Sequence, residues 1–194
     1  MVLGVCGKAC GGKDAVSRLL ADDGWLVIDA DKLGQEALQV KEREIVVAFM
    51  EDDIFDDAGG LDRKKLGRVV FSDKKKLDTL NQISHPYVVE KIHQVLAEHA
   101  GERIVINAAL LPMVKVEGVD ALIYVQAKLC QRMKRALVRD KRSLGFVIRR
   151  IWAQRLLRPQ LFWKNVDIYY INNNESLADL ARELNIILDK IAGK

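Results

Sequence analysis

The amino-acid sequence predicts an α/β fold, a five-stranded parallel sheet covered on both faces by helices. Two observations lead there. Five short apolar runs, at residues 2–6, 25–28, 104–106, 121–125 and 168–171, lack the polar alternation of a strand with one wet face. Stretches with apolar residues at helical spacing separate them, which is the order of a layered α/β domain. The composition allows it: 194 residues, 49% hydrophobic and 30% charged, form one domain with insertions. Thirteen Gly and three Pro exclude collagen-like and wholly disordered classes. No apolar run approaches the roughly eighteen residues that cross a bilayer, and the first run is too short for a secretory leader, so a cytoplasmic protein without a membrane partner is expected.

The first strand runs straight into Gly7-Lys8-Ala9-Cys10-Gly11-Gly12-Lys13. Ala15, Val16, Leu19 and Leu20 then recur at helical spacing until Asp23-Gly24 stops them. The second strand, 25–28, ends in Asp29-Ala30-Asp31. From 32 to 100 the pattern is helical apart from a loop at 52–60, which reads as a helical insertion. Strands return at 104–106, 121–125 and 168–171, and a last helix carries Leu177, Leu180, Leu184, Ile187 and Ile191 on one face. Ligands of parallel sheets bind beyond the carboxyl ends of the strands. The glycine loop, Asp29/Asp31 and the Asn107-Ala108-Ala109 turn all fall there, so the three are expected to converge.

The charge is uneven. Residues 128–158 hold eleven Lys/Arg and one acid, Asp140, within a chain whose net charge is only +4. So one-sided a segment calls for an anionic partner. Cys6, Cys10 and Cys130 cannot all pair, and no His or second Cys pair accompanies them, so they are read as reduced thiols.

Gly7-x-x-x-x-Gly12-Lys13 fits the phosphate-loop pattern G-x-x-x-x-G-K. Glycines let successive N–H groups curl toward an anion, the next helix offers its positive end, and the lysine reaches the terminal phosphates. Gly7, Lys8, Ala9, Cys10, Gly11, Gly12, Lys13, Asp14 and Ala15 are therefore the expected nucleotide contacts. Asp14 stands where the pattern has Ser or Thr. Two readings of it stand: a ligand for Mg²⁺, or a carboxylate that stabilises the helix N-terminus. Lys8 offsets some of its charge.

Further motifs follow in order. They are Val27-Ile28-Asp29-Ala30-Asp31, Leu61-Asp62-Arg63 with Leu66 and Val70-Phe71, and Leu80-Asn81-Gln82-Ile83-Ser84-His85-Pro86. Ala109-Leu110-Leu111, Arg135 with Arg139-Asp140, Arg150-Ile151 with Gln154, and Ile171-Asn172-Asn173 complete the set. In these residues the chain resembles the dephospho-coenzyme A kinases over nearly its whole length.

The resemblance implies a three-layer P-loop NTPase fold with a helical substrate-binding insertion and a helical lid. The core is then 1–31, 102–127 and 165–194, the insertion 32–101 and the basic lid 128–164. It implies transfer of the ATP γ-phosphoryl group to the ribose 3′-hydroxyl of dephospho-CoA, the last step of coenzyme A synthesis, with Mg²⁺. Lys13 cradles the donor and Asp31 orients or deprotonates the hydroxyl, although an exchange of roles with Asp29 stays open. Arg135 and Arg139, one helical turn apart, close over the phosphates, against the plainer reading of salt bridges. Arg63, His85 and Leu110 are acceptor contacts, with His85 equally readable as a helix-start residue. Asn172 and Asn173 lie near the adenine, or simply make a turn.

Asp14, Lys8, Asn107 in place of a strand-end carboxylate, and Ala109 in place of Pro depart from the family pattern. Two other readings compete: another P-loop small-molecule kinase, and a catalytically weak nucleotide- or RNA-binding relative. The basic segment lacks interleaved base-stacking aromatics, since Trp152, Phe162 and Trp163 read as helix-packing residues, so no nucleic-acid partner is expected.

Overall fold

The computed structural model describes residues 1–109, 116–140 and 166–193, with all their side chains except those of Arg139 and Asp140. Leu110, the side chain of Arg139 and lid positions 141–164 lie outside the described residues. The elements run β1 (Val2–Gly7), α1 (Lys13–Asp22), β2 (Leu26–Asp29), α2 (Ala30–Val40), α3 (Glu42–Ala48), α4 (Arg63–Ser72), α5 (Lys74–Glu98), β3 (Ile104–Asn107), β4 (Ala121–Gln126), α6 (Leu129–Asp140), β5 (Asp167–Asn172) and α7 (Leu177–Ala192).

The five strands pair in the order β2-β3-β1-β4-β5, every pairing parallel, as expected of strands buried on both faces. On one face Leu3, Val5, Val105 and Ile123 pack against Val16 and Leu20 of α1 and Leu180, Leu184 and Ile187 of α7. Those helical residues recur at three- and four-residue spacing, which is why the periodicity found them. A capping box at Ser176 and Asp179 starts α7. Cys6 is buried, and the loss of solvent pushes its thiol up to about 12, so it stays protonated and inert.

β2 begins one residue later than its apolar run. Trp25 donates its N–H to the carbonyl of Leu20 at 3.0 Å, closing α1 with Gly24 at φ +80°, and joins the core as a turn residue. The strand then runs on through Asp29, which shares a register with Asn107 of β3; Val5 of β1 pairs with the same Asn107. β2 and β3 thereby end level, and β1, on the other side of β3, runs two residues further to Gly7, from which the glycine loop leaves.

Contacts divide the chain into Met1–Asp29 with Glu98–Lys194, and Ala30–Ala97. The second unit is helical, with a core of Ile45, Phe49, Ile54, Leu66 and Val70. Its loop is shaped by Asp56, whose Oδ1 accepts from the N–H groups of Ala58 and Gly60 at 2.9 and 2.8 Å. Asp62 caps α4 by accepting from Lys64 and Lys65, and these two N–H bonds hold its carboxyl below the usual range. The sequence suggests a corner or helix start at His85-Pro86, but α5 passes through Pro86 without ending. Buried Ser84, Val88 and Ile92 anchor it on both sides of the proline, so tertiary packing outweighs the lost hydrogen bond. No helix among the described residues is long and apolar enough to cross a membrane.

Candidate active site

The loop between β1 and α1 is held from behind. The Gly11 N–H donates to the carbonyl of Lys8 at 2.9 Å, closing a turn in which Cys10 takes the left-handed φ of 58°. Gly12 has φ +106° and serves as the N-cap of α1, with no side chain capping it. Glycine at the N-cap brings no capping side chain of its own to the helix start, which suits an anion there. A Cβ at Gly12 would fall 1.8 Å from Nδ2 of Asn173, and one at Gly7 2.6 Å from the Val125 carbonyl. Both positions require glycine because the loop is pressed against β4 and the residue after β5.

Three side chains meet at the start of α1. Lys13 Nζ lies 2.9 Å from Asp14 Oδ1 and donates to Asn107 Oδ1 at 3.2 Å. Asn107 Nδ2 in turn donates to Asp14 Oδ1 at 3.0 Å. Asn107 is only 4% exposed, and its amide sits between the ammonium and the carboxylate, accepting from the first through Oδ1 and donating to the second through Nδ2. The Asp14 side chain remains 61% exposed. One such hard-oxygen donor is a normal protein share for Mg²⁺, which takes its other ligands from phosphates and water. Among the described residues no cluster of three acidic, His or Cys groups forms a metal site without substrate.

Helix α6 and Asn173 grip the back of the loop. Arg135 donates through Nη1 to the Gly11 carbonyl at 3.4 Å, and through Nη2 to the backbone and side-chain oxygens of Asn173 at 3.0 and 3.2 Å. Asn173, 7% exposed, donates from Nδ2 to the same Gly11 carbonyl at 3.0 Å. Arg132, which sequence reasoning did not single out, donates from Nε to the Ala9 carbonyl at 2.9 Å.

A strand, a glycine loop closed on lysine, a helix and a five-stranded parallel sheet make a phosphate-binding fold, and comparison with known proteins narrows it. The sequence model of the family described as dephospho-CoA kinase matches residues 1–179. The chain belongs to the dephospho-CoA kinase family. A dephospho-CoA kinase of Borrelia garinii subsp. bavariensis is 33% identical over 191 residues, covering 95% of this chain and 91% of the relative. A solved Thermus thermophilus protein is 30% identical with a TM-score of 0.81, covering 98% of this chain and 97% of that one. A solved gluconokinase of Sinorhizobium meliloti, 16% identical, shares the fold with a TM-score of 0.55 over 99% of this chain and 93% of its own. The chain is accordingly a kinase, a phosphotransferase acting on an alcohol group.

The remaining predicted residues of this dephospho-CoA kinase family member fall in two places. In the sheet unit, Asn172 ends the edge strand, exposed, with its N–H directed to the Glu183 carboxylate at 3.3 Å. In the helical unit, Asp31 sits in the first turn of α2 and Arg63 opens α4, both exposed. His85 is half-buried on α5, and desolvation lowers it below its ordinary 6.5. What the sequence did not assign is the bracing by Asn107, Asn173 and Arg132. A signal existed for Arg132, which shares the inward face of α6 with Met133 and Ala136, unlike the exposed Lys134.

Proposed function

We propose that residues 7–15 bind the triphosphate of ATP and that the chain passes its γ-phosphoryl group to the ribose 3′-hydroxyl of dephospho-CoA. The observation that carries this reading is the braced loop with an uncapped helix start and Lys13 at its mouth. Phosphoryl transfer is chiefly positioning and charge stabilisation, so a preorganised cradle is the main requirement.

Lys13 neutralises the terminal phosphates. Exchange of its contacts with Asp14 and Asn107 for phosphate oxygens is the movement the reaction asks of it. Asp14 is the residue that would hold Mg²⁺, which when bound neutralises charge on the transferring group. Asp31 takes the proton of the acceptor hydroxyl, and Asp29 supports the strand end beside Asn107. Arg135 keeps the loop in place and adds positive charge, and Arg139, four residues further along α6, is the cation that meets the migrating group. Arg63, His85 and Leu110 receive the acceptor, while Asn172 borders the adenine.

Consumption of ATP with dephospho-CoA, nucleoside monophosphates and shikimate as acceptors tests the reading. Turnover with dephospho-CoA, giving a product phosphorylated at the ribose 3′ position, is expected. Turnover with a nucleotide acceptor alone would reject it.

A further inference from the structure

Arg132 lies on α6 with 7% of its surface exposed. Its Nε is spent on the Ala9 carbonyl, and its Nη2 has no hydrogen-bond partner. Among the described residues it makes no ion pair. Its ionisable neighbours are Cys10 and Tyr124, and burial pushes the Tyr124 phenol up to about 12, so that group gives no negative charge at neutral pH. A desolvated guanidinium without a counter-charge weakens a fold, and an apolar side chain of similar length would avoid that cost. Holding Ala9 in place does not explain the charge, because a backbone carbonyl needs only a neutral donor.

We infer that the counter-ion of Arg132 is the polyphosphate bound on the other side of the loop. The unpartnered charge burdens the empty chain and is compensated once an anion occupies the cradle, so Arg132 is a positioning residue that ties nucleotide binding to the seating of α6. The inference rests on the reading that the loop holds ATP. It differs from a plain strut in sign: a strut stabilises empty and loaded chains alike, whereas an uncompensated cation destabilises the empty one and stabilises the loaded one.

Melting temperature, ATP affinity by calorimetry and steady-state kinetics of the full chain, Arg132→Met and Arg132→Lys separate the two. The inference expects ligand-free Arg132→Met to melt at or above wild type, with its ATP Kd and KM raised about tenfold. At saturating ATP its kcat stays within about threefold, and its KM for dephospho-CoA does not move. Arg132→Lys keeps the charge and holds the ATP Kd within about threefold of wild type. An Arg132→Met chain that fails to fold, melts lower without ligand or binds ATP like wild type overturns the inference, as does Arg132→Lys weakening ATP as much as Arg132→Met. A wild-type chain that does not bind ATP refutes the ATP reading itself, which the variants' behaviour relative to a binding wild type leaves intact.

Discussion

The sheet unit and the helical unit hold the side chains proposed to be functional in opposite ways. Around the phosphate loop the polar groups are buried and hydrogen-bonded: Asn107 to the side chains of Lys13 and Asp14, Asn173 to the Gly11 carbonyl and Arg132 to the Ala9 carbonyl. In the helical unit Asp31 and Arg63 are exposed at helix starts, and the carboxylate beside Arg63, that of Asp62, is used to cap α4. The difference teaches where rigidity is needed. A triphosphate cradle works through fixed dipoles, which must be in place before the ligand arrives, while acceptor-binding side chains can be ordered by the acceptor itself.

The largest expected effect lies on the exposed side. Asp31→Asn should lower kcat about a hundredfold or more with little change in ATP affinity, and a rate within a fewfold of wild type would mean that Asp31 is not the base. On the braced side, Gly12→Ala forces a Cβ into Asn173 at a left-handed φ. Chemical denaturation should show a loss of about 2 kcal/mol or more, accompanied by weaker ATP binding; unchanged stability would show that the brace yields.

The smallest effect is a pH dependence in the helical unit. His85 is depressed by desolvation, so the unfolded chain binds its proton more readily than the folded one. Its contribution is present above about 6.5 and is lost as pH falls through the lower folded value. Stability should decline on acidification from pH 7 toward 5, and His85→Gln should flatten that slope; an unaltered slope would place the titration elsewhere.

What was legible in the sequence follows the same division between local and distant causes. The strands, the loop and the faces of α1 and α7 come from short-range periodicity and glycine spacing, and the structure has them within a residue or so. The brace of Gly11 by Asn173 joins positions 162 apart, and nothing near either one announces it. Asn173 instead reads as an adenine contact or a turn. Arg132 vanished into a run of eleven basic residues because charge counting ignores which side of a helix faces inward. Pro86 misled in the other direction: proline is a strong local stop signal, yet buried residues on each side carry α5 through it.

Calorimetric titration of the purified chain with ATP, beside Lys13→Ala, tests the braced cradle most directly. Saturable binding by wild type, lost or weakened at least about tenfold in a Lys13→Ala chain that remains folded, is the predicted result. Absence of measurable ATP affinity in the folded wild-type chain, with and without Mg²⁺, would contradict it.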